Sequence, residues 1–493
     1  TLADGLHLSC DVVVVGSGAG GAAAAAALAE SGLRVIVLEE GGAFEPGKQG
    51  PSVADAFRKL YVEKANRVMT GSGFMPLPGG RGLGGSTVIN SAICFRAAPR
   101  IFARWRDEFG IDGLSDREVD AYYQEVETTL AVGITRPEIG RKHNEAFARG
   151  ARALNLAGGW MPRNAPGCVG CGVCELGCPS GGKNSADRTF LPRALNHGAD
   201  VLTGCRVARL TGHSTRVTGV TGEIHDPETR RPLGSFRVTA DRVVLSAGSV
   251  ATPILLQAHG LGGQHVGRHL SVHPGGWAAG VFDEVIDFWN GVPQGYYATL
   301  EPAAGVILET FTVAPGLGVA QFSGFGKEMA GWLPKLRHLA FCGAMVEDSE
   351  SEGTVRAGMS GGAAVRYKMA PADVAKLKRG IFEIVRTYEA SGAPEFVVGL
   401  ASPVTVKSSN DAKAALDKHF QPTDFRLYAS HPMGTCRMGP DRAKAVVDND
   451  GQVHGTRGLY VADASLFPTP LGVNPQMTVM LMALRVARRI AAS

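Results

Sequence analysis

The sequence predicts an α/β fold, α+β overall. A parallel, Rossmann-like sheet is assembled from several chain segments and interrupted by a unit with an antiparallel sheet flanked by helices. Three observations predict it. Residues 11–39 read as an apolar strand, a glycine-rich turn, an alanine-rich helix and a second apolar strand. Residues 276–430 change to alternating, turn-punctuated segments. From residue 428 the chain returns to glycine punctuation and apolar runs, ending in a strand and a helix.

Residues 11–15 are β-branched and apolar and stop at Gly16, which marks a buried strand. The turn Gly16-Ser17-Gly18-Ala19-Gly20-Gly21 opens a helix over 22–29, and 34–39 (RVIVLE) is the next buried strand. Together they make a βαβ unit with a right-handed crossover. A second glycine loop, GGRGLGG, spans 79–85. Helical periodicity follows at 116–130 and 141–154, then a cysteine-rich segment. Residues 200–204 and 207–210 read as short strands, and 216–224 and 235–239 flank a hairpin tip at Asp226. Residues 242–247 form another buried strand, with a helix after it. In the second unit, 304–313, 343–346 and 354–358 read as antiparallel strands and 370–391 as a long amphipathic helix. A strand at 458–462 and a helix at 475–492 close the chain.

Composition narrows the function. Glycine is in excess, 66 of 493 residues against an average of about 7%. Without a Gly-X-Y period, that excess points to turns and close approach of backbone to a ligand. A net charge of +4 is too balanced for a nucleic-acid partner. No apolar run is long enough for a membrane span. Peripheral membrane contact stays open at the Trp332-Leu333 stretch. No basic-then-apolar leader is visible, so the expected compartment is cytoplasmic, or periplasmic if an export signal has been removed.

The spacing Gly16-x-Gly18-x-x-Gly21 between strand and helix has a mechanical reading. The first glycine makes the tight turn, the second admits a pyrophosphate to the backbone, and the third lets the helix pack on the strand. The helix N-terminus then faces the phosphates with free N–H groups. Glu39, ending the second strand, is placed to accept hydrogen bonds from both ribose hydroxyls. These residues do not separate FAD from NAD.

The segment Cys168-x2-Cys171-x2-Cys174-x3-Cys178-Pro179 has the spacing of a bacterial ferredoxin half-motif. It fits an iron–sulfur cluster ([3Fe–4S] or [4Fe–4S]), with Cys205 as a distant alternative ligand. The same residues also fit a zinc knot, disulfides or free thiols.

Six motifs in order carry a resemblance. They are VVVGSGAGG at 13–21, VIVLEEGG at 35–42, GGRGLGGSTVIN at 79–90, SAGSVATPILLQAHGLG at 246–262, HPMGTCRMG at 431–439 and LYVADASLFPTPLGVNPQMTVMLMA at 459–483. On these the chain resembles the glucose–methanol–choline (GMC) oxidoreductases, over nearly its whole length. The resemblance implies FAD, held non-covalently because no His or Cys lies between Gly79 and Val88. It implies that Gly84, Gly85, Ser86 and Asn90 run along the pyrophosphate and flavin. Val207 would meet the adenine through its backbone, and Asp463 would hold the ribityl chain or the pyrophosphate; a helix cap is the competing role for Asp463. The implied FAD-binding domain is 1–110, 200–275 and 428–493, with a helical, cysteine-rich insertion at 111–199 and a substrate domain at 276–427.

The implied reaction is oxidation of a small-molecule alcohol. His431 is the base and Asn474 donates a hydrogen bond to the substrate oxygen. His273 lies near a family motif and is a further candidate, whereas His269 reads as structural. Within the family the cysteine segment is similar to two branches. One comprises sugar dehydrogenases that hold an iron–sulfur cluster, and the other long-chain alcohol oxidases, to which 171–205 is closer. The alternatives are therefore a sugar or polyol dehydrogenase passing electrons through a cluster to a cytochrome or other acceptor, a lyase or decarboxylase of the same fold, and a non-enzymatic relay. The segments 291–296 and 322–339 are expected to wall the substrate pocket.

Overall fold

The computed structural model describes residues 5–493 apart from 46–51, 302–303, 313, 320–321, 323–325 and 359–361. The strand Leu6–Val15 lies at the centre of the first sheet, and its valines at 12–15 are buried on both faces. Such a β-branched run suits a position covered by helices on either side. The strand pairs in parallel with Val35–Leu38 and with Pro232–Leu245. Asp200–Leu202 extends the parallel side. On the other side Arg216–His225 and Cys205–His213 add antiparallel strands, and Asp226 Oδ1 closes the hairpin tip by accepting from Glu228 and Thr229 N–H. Leu459–Val461 pairs in parallel with the end of Pro232–Leu245. The helix Ala19–Glu30 packs on the final helix Gln476–Ala492, and its run of small alanines allows that close approach.

The second sheet is antiparallel and has seven strands. Their order is Val404–Val406, Glu395–Val398, Gly275–Val281, Leu339–Val346, Val306–Thr310, Tyr296–Thr299 and Ala157–Trp160. The helix Pro371–Ala390 lies across it, burying Val374, Leu377, Ile381, Ile384, Val385 and Tyr388 at three-to-four-residue spacing. A smaller sheet joins Glu352–Ala357, Ala363–Lys368, Val68–Gly71 and Met75–Pro76.

Two pairings cross the segments read from sequence. Ala157–Trp160, from the cysteine-rich insertion, is the edge strand of the large antiparallel sheet. Val68–Gly71 pairs with Ala363–Lys368. Both are short and contain glycine, so neither shows the alternation that betrays a strand. The helix expected at 141–154 starts earlier, at Pro137, and is interrupted at Arg141, whose φ is +58°. Asp116–Leu130 begins on a capping box between Ser115 and Glu118, as its sequence dictates. Among the described residues no helix is long and apolar enough to cross a membrane. Trp332 is partly covered, stacked on Phe322 with ring centroids 4.4 Å apart, while Leu333 is exposed; residues 323–325 of the expected pocket wall lie outside the described residues.

Candidate active site

The two glycine loops meet at the N-terminus of Ala19–Glu30. Gly16 has φ +98°, which only glycine adopts freely, and a β-carbon on Gly21 would collide with the Gly16 carbonyl oxygen. Gly18 faces Gly85, and the helix has no side-chain cap, so its first amides are free for an anion. This arrangement fits the pyrophosphate of a dinucleotide such as FAD.

The two acids at this end are fully engaged by protein. Glu39 is 5% exposed. Its Oε2 accepts from Ser17 N–H (3.2 Å) and Ser17 Oγ–H (2.7 Å), and its Oε1 from the N–H groups of Gly41 (2.9 Å) and Gly82 (3.0 Å). Burial pushes its pKa up, against those hydrogen bonds. The carboxylate thus sews the first glycine loop to the second. Asp463 accepts from Gly248 N–H (2.8 Å), Thr252 Oγ–H (2.6 Å) and Ser465 N–H (2.8 Å), which is the cap arrangement. Ser86 Oγ accepts from Gly80 N–H at 2.9 Å. Asn90 donates to Gln476 Oε1 at 2.8 Å and accepts from Ala92 N–H at 3.0 Å. Gly84 donates to Ser17 Oγ at 3.3 Å. Val207 lies in the edge strand Cys205–His213, whose first residue bonds to the Glu39 carbonyl.

His431 and Asn474 reach one region from different loops. Residues 433–438 run beside 464–466, hydrogen-bonded through Gly434, Cys436 and Met438. Asn474 stands just before the final helix. His273 stands beside His431, its ring edge-on with centroids 5.5 Å apart, and its Nε2 accepts from Leu471 and Gly472 N–H, on the loop that leads to Asn474. Burial pushes the pKa of His431 down to about 4, so its imidazole is neutral at pH 7. His431 Nδ1, His273 Nδ1 and Asn474 Oδ1 are buried and have no partner among protein atoms.

Sequence reasoning missed Glu309. It lies in Val306–Thr310, is 5% exposed and accepts from Gln294 Nε2 at 3.1 Å, leaving Oε1 unpartnered. Burial pushes its pKa up to about 7, against hydrogen bonds from Asn474 and Gln294. A lone acid inside the apolar run VILET is the sequence signal that marks it. Gln294 belongs to the 291–296 stretch read as pocket wall.

The nine cysteines are all unpaired, so the disulfide alternative is not realised. Cys168, Cys171, Cys174 and Cys178 line one pocket with Arg163 and Lys183, but Cys205 is not part of it. Among the described residues no group of three or more His, Cys, Asp or Glu is arranged to hold a metal ion, so the expected metal ligation lacks structural support. The sulfurs have other partners. Arg163 donates to Cys168 Sγ (3.6 Å) and Cys174 Sγ (3.4 Å), and Cys178 Sγ contacts Ser180 Oγ at 3.7 Å. Lys183, 2% exposed, donates to the carbonyls of Val88 (2.6 Å) and Asn90 (2.8 Å). Burial lowers its pKa.

Comparison with known proteins gives a consistent result. Profiles described as GMC oxidoreductase match residues 13–275 and 349–483. An uncharacterised GMC-type oxidoreductase of Mycobacterium tuberculosis is 38% identical over 98% of this chain and 76% of its own. The long-chain-alcohol oxidase FAO1 of Arabidopsis thaliana is 32% identical over 99% of this chain and 67% of its own. Among solved structures, pyridoxine 4-oxidase from Mesorbium loti superposes with a TM-score of 0.72 at 19% identity, covering 98% of this chain and 99% of that one. A mutated Aspergillus oryzae formate oxidase gives 0.75 at 17% identity, covering 98% of each chain. At these identities the structural likeness speaks for the fold alone.

Proposed function

Given that the chain belongs to the GMC oxidoreductase family, we propose that it is an FAD-dependent oxidoreductase that converts an alcohol to an aldehyde or ketone, with His431 as the base. Bound FAD supplies the acceptor for the hydride leaving the carbinol carbon. The first amides of Ala19–Glu30 would hold its phosphates, with the loop at Gly84, Gly85 and Ser86 lying alongside. The hydroxyl proton must leave in the same reaction. His431, neutral at rest, takes it on a ring nitrogen. Asn474 donates an amide N–H to the substrate oxygen and so stabilises its growing negative charge. Its amide nitrogen has no basic lone pair and takes up no proton at neutral pH, which leaves the base role, of these two residues, to the His431 imidazole.

The observation that supports this reading is the buried His431, its Nδ1 without a protein partner and its ring against His273, whose Nε2 holds the loop leading to Asn474. The similarity to a long-chain-alcohol oxidase supports a long-chain primary alcohol, with an aromatic alcohol as the alternative. The test is anaerobic titration of the flavin-loaded protein with long-chain, aromatic and sugar alcohols, followed by admission of air. A primary alcohol is expected to bleach the flavin absorbance. Flavin that no alcohol bleaches removes the reading, and the return of colour in air separates oxidase from dehydrogenase.

A second reading rests on the thiol pocket. Arg163, buried beside Cys168 and Cys174, suits an anionic occupant, and an iron–sulfur cluster there would supply one-electron transfer to an acceptor such as a cytochrome. Stoichiometric iron and acid-labile sulfide in anaerobically purified protein, lost in Cys174→Ser, would support it. Iron-free protein with full turnover would remove it.

A further inference from the structure

His273 is 1% exposed and joins two loops that the motifs do not connect. Its Nε2 accepts the backbone N–H groups of Leu471 and Gly472, each at 3.0 Å. A ring nitrogen that accepts N–H donors carries no hydrogen, so the hydrogen of the neutral ring sits on Nδ1. On its other side the ring meets His431. The backbone around it is fixed from two directions. Asp348 accepts Val272 N–H (2.9 Å), His273 N–H (3.2 Å) and Tyr367 O–H (2.9 Å). Ser271 and Met433 exchange both backbone hydrogen bonds, at 3.1 and 3.0 Å. His273 also has φ +50°, a left-handed conformation that a residue with a β-carbon rarely adopts. The surrounding bonds hold it there.

We propose that His273 is a positioning residue: fixed as the Nδ1–H tautomer, it ties the loop at 471–474 to the loop carrying His431 and so sets where the Asn474 amide stands. This rests on the reading that His431 and Asn474 act as a pair. Leu471 is buried, so without the imidazole its N–H has neither partner nor water, and the loop must shift to find one. Asn474 follows that shift.

Three substitutions separate positioning from bulk. Gln places its Oε1 near the position of Nε2, Asn reaches only to the position of Nδ1, and Leu fills space without an acceptor. His273→Gln therefore keeps the tie, and His273→Asn and His273→Leu cut it. In the flavin-loaded protein we expect His273→Leu to lower kcat by about 10²-fold, the cost of displacing a reacting group by roughly an ångström, with KM within about threefold. His273→Gln is expected to stay within about threefold of wild type in both constants. Hydrogen exchange reads the tie directly: the amides of Leu471 and Gly472 exchange faster in the Leu and Asn variants and at the wild-type rate in the Gln variant. Wild-type kcat or unchanged exchange in His273→Leu overturns the proposal. So does a ¹⁵N spectrum of the wild-type protein that puts the His273 hydrogen on Nε2, a measurement needing neither a folded variant nor turnover. If His431→Ala retains full turnover, the catalytic reading falls by itself, and the exchange and tautomer results still decide the tie.

Discussion

The two polar ends of the molecule are built differently. At the dinucleotide end the carboxylates of Glu39 and Asp463 are saturated by protein donors. At the other end His431, Asn474, His273 and Glu309 each keep a buried polar atom without a partner. Buried polar groups are almost always satisfied in folded proteins. These two acids tie protein segments together, whereas the unsatisfied atoms around His431 are free for another molecule. The difference teaches that the best-known motif residues need not be the ones with free valence.

Substitutions at the two ends sharpen or break this contrast. The largest effect is expected from His431→Ala, with kcat lowered by about 10²–10⁴-fold while flavin absorbance shows the cofactor still bound. Turnover close to wild type would take His431 out of the chemistry. Glu39→Ala strands four buried donors, so it should cost about 4 kcal/mol of stability and loosen both glycine loops. Denaturant unfolding with parallel flavin fluorescence checks it, and unchanged stability with lost flavin would restore a purely ligand-facing role.

Glu309 gives a smaller, pH-dependent effect. Its pKa is raised to about 7 in the folded protein from 4.5. Between those values the folded state binds more protons than the unfolded state, so stability falls as pH rises through the window. Glu309→Gln should remove that penalty, gaining up to about 3 kcal/mol over wild type above about pH 7 and nothing below about pH 4. Parallel stability curves for the two proteins would exclude a buried, ionising Glu309. The smallest effect is expected at the exposed thiol: Cys171→Ser should change stability by less than about 0.5 kcal/mol and leave turnover intact. A large loss of activity would instead favour a metal–thiolate centre in that pocket.

The dinucleotide end was legible because its chemistry is written in glycine spacing. Gly16 has a left-handed φ and Gly21 has no room for a side chain, and Gly85 comes up against Gly18. The roles of Glu39 and Asp463 were only half legible. A terminal acid signals a hydrogen-bond acceptor without saying whether the donor is ribose or Ser17. Glu309 was not read at all, because Gln294 and Asn474 come to it only through sheet pairing and loop packing, which leave no local pattern. The strands Ala157–Trp160 and Val68–Gly71 escaped for the same reason: their partners lie far along the chain. The cysteine spacing was conspicuous, yet Arg163, which holds two of those sulfurs, stood outside the motif.

The long strand Pro232–Leu245 leans on its neighbours at different moments of synthesis. Its first half finds Arg216–His225 by a hairpin, but its last three residues wait for Leu459–Val461. A ribosome must therefore deliver more than 200 further residues before the edge at Val243–Leu245 is covered by Leu459–Val461. A nascent chain halted short of Leu459 carries a bare apolar ribbon, an invitation to chaperones or to clumping.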